Sequence, residues 1–177
     1  ISAGYGINKK DNWVYLMQQK FDEEGNSIKL INSSVSGDTT GGGLGRLAKN
    51  LKKFKPDFVL IELGGNDALR GYSIKLIKSN LEKMIALIKQ NKSKVLLMQI
   101  RIPPNYGQKY MLAFEKIYKD LALSEEVYLM PFMLEEIGIN SELMQPDGIH
   151  PNKKAQSLIA KDVKKNIDKF LLINQSN

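Results

Sequence analysis

The chain is expected to be an α/β protein built on a mostly parallel sheet covered by helices on both faces. Three observations lead there. Short apolar runs alternate with longer amphipathic segments, several runs are nearly continuous in Val, Ile and Leu, and polar, glycine-bearing turns come after them. A length of 177 residues, 42% hydrophobic and 25% charged, suits a single domain over 1–177 with one sizeable core and excludes disordered and fibrous classes.

Along the chain, Asn12 to Phe21 carries the first helical pattern, and Ser27 to Val35 (SIKLINSSV) reads as the first strand. About Gly43 to Phe54 reads as a helix, and Asp57 to Leu63 (DFVLIEL) as the second strand. Ser73 to Asn91 is again helical and leads into KVLLMQI, Lys94 to Ile100, a run apolar enough to be covered on both faces. Gln108 to Leu123 is helical, and Val127 to Met130 makes a short last strand. The final helix spans Asn152 to about Leu172, with Pro151 suited to the first helical position, where a missing N–H costs nothing. Only the end, NQSN, reads as frayed.

Such alternation implies right-handed crossovers, and in parallel sheets reactive groups gather beyond the carboxyl ends of the strands. Ser36-Gly37-Asp38-Thr39 comes after the first expected strand, Gly64-Gly65-Asn66-Asp67 after the second, and Arg101-Ile102-Pro103-Pro104-Asn105-Tyr106 after the third. Asp147-Gly148-Ile149-His150 precedes the last helix. These four segments are expected to meet on one rim.

Composition narrows the chemistry. There is no cysteine, which excludes disulfides, thiolate metal sites and cysteine nucleophiles. With a single histidine, a zinc site would need carboxylates for nearly every ligand, so no zinc site is expected. No apolar run reaches bilayer length, so stable membrane insertion is not expected. The formal net charge of +7 comes from lysines spread over the helical segments. They read as solvated faces, with steering toward anionic partners as the alternative; they lack the aromatic interleaving of a nucleic-acid site, and no nucleic-acid partner is expected.

The lone histidine, His150, stands three residues after Asp147. A carboxylate within reach of one imidazole nitrogen fixes the tautomer and leaves the other nitrogen to take a proton from a nucleophile. Gly148 allows the tight turn this needs. The helix start disfavours a charged ring and Asp147 favours it, a balance suited to a base working near neutrality. Asn66 offers a neutral donor for an oxyanion, the alternative being a plain strand-end turn in which Asp67 caps the segment after it, and the N–H of Gly37 offers a second donor.

Taken together, SGDT, LGGNDALRG and DGIHPN, with the opening ISAGYG and the intervening LLMQIRIPPNYGQKY, resemble the SGNH (GDSL-type) hydrolases from residue 1 to about residue 165. The similarity is marked to the bacterial thioesterase I group and its lysophospholipase and arylesterase relatives. The resemblance implies a three-layer α/β/α sandwich with a flavodoxin-like sheet. It also implies hydrolysis of a small acyl ester or thioester through an acyl-serine, without cofactor. His150 would be the general base, Asp147 its orienting partner, and Gly37 and Asn66 the oxyanion hole. A monomer is expected, exported to the periplasm or secreted, with the cytoplasm as the alternative.

One departure stands out. The family's nucleophilic serine immediately precedes the residue matching Ile1, and Ser2 corresponds to a later serine that is not the nucleophile. The family's first strand leads into that serine inside the sheet, and a sheet lacking an interior strand leaves backbone groups unpaired in a dry core. About ten further N-terminal residues, ending in the serine, are therefore expected ahead of Ile1. On the substrate side, Ile102, Pro103 and Tyr106, with Leu69, Tyr72 and Met111, are expected to line an apolar groove for an acyl chain. Two rival readings are a lipid- or glycan-binding relative that lost its serine and a nucleotide binder suggested by TTGGGLGRL. The second lacks both the Walker and the dinucleotide glycine spacing.

Overall fold

The computed structural model describes residues 1–175. They form two compact units, one of residues 37–132 and one of residues 1–36 with the segment from 133 onward.

The unit of residues 37–132 holds the sheet. Its elements are α2 (Thr40–Phe54), β1 (Phe58–Ile61), α3 (Gly65–Leu69), α4 (Ile74–Gln90), β2 (Lys94–Met98), α5 (Gln108–Ser124) and β3 (Tyr128–Met130). The strands run parallel in the order β1-β2-β3, with Leu96 of β2 opposite both Leu60 and Tyr128. Central β2 is buried from Val95 to Met98, which explains its unbroken apolar run. Against it lies α4, whose Ile77, Leu81, Met84, Ile85 and Ile88 form one buried stripe at helical spacing. Phe114, Ile117, Tyr118 and Leu121 do the same for α5. Burial of one such Leu or Ile stabilises by roughly 1.5–3 kcal/mol, so these two stripes account for much of the core.

Helix α2 begins at Thr40, three residues before the sequence pattern suggests, despite glycines at 41, 42 and 43. Two caps outweigh their poor propensity: Thr39 Oγ1 accepts from Gly42 N at 3.2 Å, and the Asp67 carboxylate accepts from Thr40 N at 2.8 Å.

The other unit packs α1 (Trp13–Glu23) against α6 (Lys153–Gln175). Trp13, Met17 and Phe21 recur on one buried face of α1, opposed by Ile159, Val163, Ile167 and Phe170 of α6. The Asn12 side chain caps α1 by accepting from Val14 N. Of the end expected to fray, residues 176 and 177 lie outside the described residues, and α6 runs through Gln175.

Two expectations need correction. Ser27 to Val35 is not a strand. Among the described residues no strand pairs with it, and side chains meet its backbone instead. Gln18 accepts from Leu30 N at 2.7 Å and donates to Ile28 O at 3.0 Å, while Asn32 Oδ1 accepts from Ser34 N. Pro151 is not the first residue of α6. It pairs with Met144 in an antiparallel bridge, and Asn152 caps the helix by accepting from Lys154 N at 2.9 Å.

Candidate active site

Asp147 and His150 form a self-contained hydrogen-bonded turn. Asp147 Oδ1 accepts from Ile149 N and His150 N, both at 2.9 Å, which fixes the loop that carries the ring. Its Oδ2 lies 2.7 Å from His150 Nδ1. Gly148 makes the turn at φ +67°, a conformation that glycine adopts without steric cost. The backbone N–H of His150 first, then its ring and the N–H of Ile149, hold the Asp147 carboxyl below the usual carboxylate range, at about 2. An ionised carboxylate can only accept, so Nδ1 carries the hydrogen of this bond and Nε2 of the neutral ring presents a lone pair.

Residues the sequence left without a role hold this turn. Gln145 N donates to His150 O at 2.7 Å, and Gln145 Nε2 donates to Tyr5 O at 2.8 Å and Pro151 O at 3.1 Å. Tyr5 is thereby set against the imidazole, with ring centroids 4.7 Å apart at an interplanar angle of 37°. The His150 side chain stays 30% exposed, so the ring is braced but accessible. Ser2 is buried, and its carbonyl accepts from Asn12 Nδ2 and Asn32 Nδ2, so the opening segment is anchored by its backbone.

In the sheet-bearing unit, Gly64 to Leu69 comes after β1 and Arg101 to Tyr106 after β2, both at the carboxyl edge of the parallel strands. Gly64 turns at φ +113°, and a Cβ there would lie 2.2 Å from Tyr118 Oη. The absence of a side chain lets Tyr118 donate to Leu63 O at 2.8 Å. Burial, reinforced by the carboxylates of Asp67 and Glu62, holds this hydroxyl well above its ordinary pKa, so it remains a donor.

Asn66 Nδ2 donates to Asp38 O at 2.9 Å, which orients the amide and commits one of its two hydrogens. Gly37 lies in an exposed turn, and its carbonyl accepts from Arg70 Nη2 at 3.0 Å. Asp38 itself is clamped by Arg46, through Nε at 2.9 Å and Nη2 at 2.7 Å. The Asn66–Asp38 bond therefore brings Asn66 to the Gly37–Asp38 segment, and Arg70 and Arg46, which the sequence alone did not single out, hold that segment.

Asp67 corrects its expected role. Rather than capping the segment after it, this residue lies inside α3, fully buried, and reaches back to α2. Besides the Thr40 N–H it accepts from Thr40 Oγ1 at 2.5 Å, and that hydroxyl in turn accepts from Asn80 Nδ2 at 3.0 Å. The chain Asn80–Thr40–Asp67 pins the residue next to Asn66 to two helices.

The expected substrate residues lie in this same unit. Pro103, Tyr72 and Tyr106 are exposed, Leu69 is half-buried, and Ile102 is buried. Tyr110 Oη, from α5, donates to Tyr72 O at 2.6 Å, which ties the segment after α3 to the helix after the Pro103-Pro104 turn.

Comparison with known proteins gives the family. The family described as GDSL-like lipase/acylhydrolase matches residues 1–158. An arylesterase of Vibrio mimicus is 48% identical over 171 residues, covering 97% of this chain and 86% of the relative. An Escherichia coli thioesterase, named also as a protease and lysophospholipase, is 42% identical over 160 residues, covering 90% of this chain and 76% of its own. Among solved structures, the psychrotrophic esterase EstA of Pseudoalteromonas, inhibited by monoethylphosphonate, matches with a TM-score of 0.95 at 42% identity, over 96% of this chain and 93% of that one. The α/β fold expected from the alternating pattern is thus the fold of these esterases. The chain belongs to the GDSL-like lipase/acylhydrolase family and is an ester hydrolase of that type.

Proposed function

We propose that His150 and Asp147, with the Gly37 N–H and the Asn66 amide as oxyanion donors, hydrolyse small acyl esters and thioesters through an acyl-serine. Aryl esters and lysophospholipids are the substrate classes suggested by the relatives. One observation carries this reading. The 2.7 Å bond from Asp147 leaves Nε2 of the ring as the proton acceptor. The nucleophile is the serine that the family resemblance sets immediately before Ile1. Its hydroxyl proton passes to Nε2 as Oγ attacks the acyl carbon, and the carbonyl oxygen becomes an anion for Gly37 and Asn66 to hold. Return of the proton to the leaving alkoxide or thiolate releases it and leaves the acyl-serine. Water then repeats the cycle, with His150 again as base and then acid, and frees the carboxylic acid.

Leu69, Tyr72, Ile102, Pro103 and Tyr106 are proposed to guide the acyl chain, supported by the apolar, partly exposed character of this segment. The protein is proposed to act as a monomer in the periplasm or outside the cell; among the described residues no helix is long and apolar enough to cross a membrane. Sizing chromatography and cell fractionation test these two points.

The decisive experiment is a panel of p-nitrophenyl and acyl-CoA esters, read for the native protein and its His150→Ala variant. A fall of at least about a thousandfold in kcat is expected. Equal rates would remove His150 from the mechanism. Fluorophosphonate labelling with peptide mapping is expected to mark the serine before Ile1; no label would return the non-catalytic binder to contention, and a label on Ser2 would move the nucleophile to that residue.

A further inference from the structure

We propose that α6, together with Lys20 of α1, docks this protein onto an anionic phospholipid surface. Residues Lys154, Leu158, Lys161, Lys165, Lys169 and Leu172 succeed one another at steps of three and four, so they form a single stripe on the helix. All six are exposed, Leu158 at 48% and Leu172 at 64%, and neighbouring Ile173 is 54% exposed. A surface stripe of a helix in a globular protein ordinarily mixes both signs of charge. This one holds four cations and two large apolar side chains.

A hollow beside the stripe strengthens the case. It is lined by Lys20, Lys161, Lys164, Lys165 and Lys169, with only Glu24 and Asp168 as counter-charges. Both carboxylates are taken by Lys164, at 2.8 and 3.0 Å, and that ammonium also sits 5.0 Å over the Phe21 ring. Lys164 is therefore a structural cation of the α1–α6 seam. Among the described residues, Lys20, Lys161, Lys165 and Lys169 stand in no ion pair, and they surround a recess open to solvent. Four unpaired ammonium groups around one recess suit the phosphates of lipid headgroups, and Leu158, Leu172 and Ile173 can enter the boundary between headgroups and acyl chains. A nucleic-acid site would be expected to add arginine forks or stacking aromatics, and the stripe has neither. Exposed leucines next to lysines favour the lipid. The inference does not depend on the proposed chemistry of His150.

The test is co-sedimentation of the native protein with phosphatidylcholine vesicles, with and without about a quarter phosphatidylglycerol, at low and high salt. Binding is expected only to the anionic vesicles and is expected to weaken as salt rises. Each lysine near such a surface contributes about fivefold, so Lys20→Gln, Lys161→Gln, Lys165→Gln and Lys169→Gln combined are expected to cost more than a hundredfold in affinity. Leu158→Ser alone should weaken binding severalfold. A control removes the same charge from the other unit: Lys49→Gln, Lys52→Gln, Lys75→Gln and Lys83→Gln. It is expected to bind nearly as well as the native protein. Absence of binding to anionic vesicles at low salt overturns the proposal. So does an equal loss in the control, which would make it an effect of net charge, or tighter binding to an oligonucleotide or an acidic protein than to the vesicles. Hydrolysis of a soluble p-nitrophenyl ester is expected to be unchanged in every variant. Its failure in the native protein would count against the proposed chemistry and leave vesicle binding standing.

Discussion

Asp147→Asn separates a catalytic carboxylate from a loop brace with a single pair of atoms exchanged. In the native turn, Oδ1 accepts from two backbone N–H groups and Oδ2 faces the ring. Asparagine reproduces the first job, since its amide oxygen accepts from the same two N–H groups, and Asn and Asp serve such local turns about equally. It inverts the second. The amide nitrogen now donates to Nδ1, which forces the hydrogen onto Nε2 and leaves the ring unable to accept a proton from the nucleophile. The expected cost is about four orders of magnitude in kcat, roughly 5 kcal/mol of transition-state stabilisation, with KM little changed. The assay is steady-state hydrolysis of a p-nitrophenyl ester, paired with urea denaturation. If Asp147 only braces the turn, the variant keeps more than about a tenth of the native rate, and that result would refute the reasoning. The pH dependence of stability adds a signed check. The carboxyl titrates at about 2 in the folded protein against an ordinary value of 3.8. Its contribution is therefore full above about pH 4 and is lost as pH falls through about 2. The stability difference between native protein and Asp147→Asn is expected to shrink as pH falls below 4.

Three other substitutions probe the contacts around the site. Tyr5→Ala removes the ring braced against His150 and is expected to lower kcat by about two- to tenfold, whereas Tyr5→Phe keeps the native rate, because the contact is between rings. Thr40→Val takes away the hydroxyl shared by Asp67 and Asn80 in a buried site, with an expected loss of about 1–3 kcal/mol in urea denaturation. Gly64→Ala meets both a strained φ and the Tyr118 hydroxyl, and is expected to destabilise by more than about 2 kcal/mol; combining it with Tyr118→Phe should cost less than the sum of the two changes, as the denaturation midpoints will show.

The helices were legible because their apolar stripes repeat every three and four residues, as Ile77, Leu81, Met84, Ile85 and Ile88 do in α4. Strand β2 was legible for the opposite reason, a run so apolar that it had to be covered on both sides. Ser27 to Val35 misled because its composition matches a strand, yet strand status is a property of a pair, and its backbone bonds to Gln18 and Asn32 instead. Asp67 misled through proximity. Its position after two glycines suggested a local cap, whereas a buried carboxylate takes whichever donors the packed helices bring to it.

Sequence distance explains which contacts of the candidate site could be read in advance. The Asp147–His150 bond closes over three residues, so spacing and a glycine suffice to announce it. The contacts that place the proposed oxyanion donors close over 28 residues, from Asn66 to Asp38, and over 33, from Arg70 to Gly37. Neither leaves a mark in the local pattern, because each depends on α2 and α3 being held by the Thr40–Asp67 bond. The two sets of contacts should therefore fail differently. Loosening the core near Thr40 is expected to disturb the oxyanion donors and leave the locally closed base intact, so Thr40→Val should lower the rate of ester hydrolysis without shifting its dependence on pH. A changed pH profile in that variant would mean that the base, too, is held from a distance.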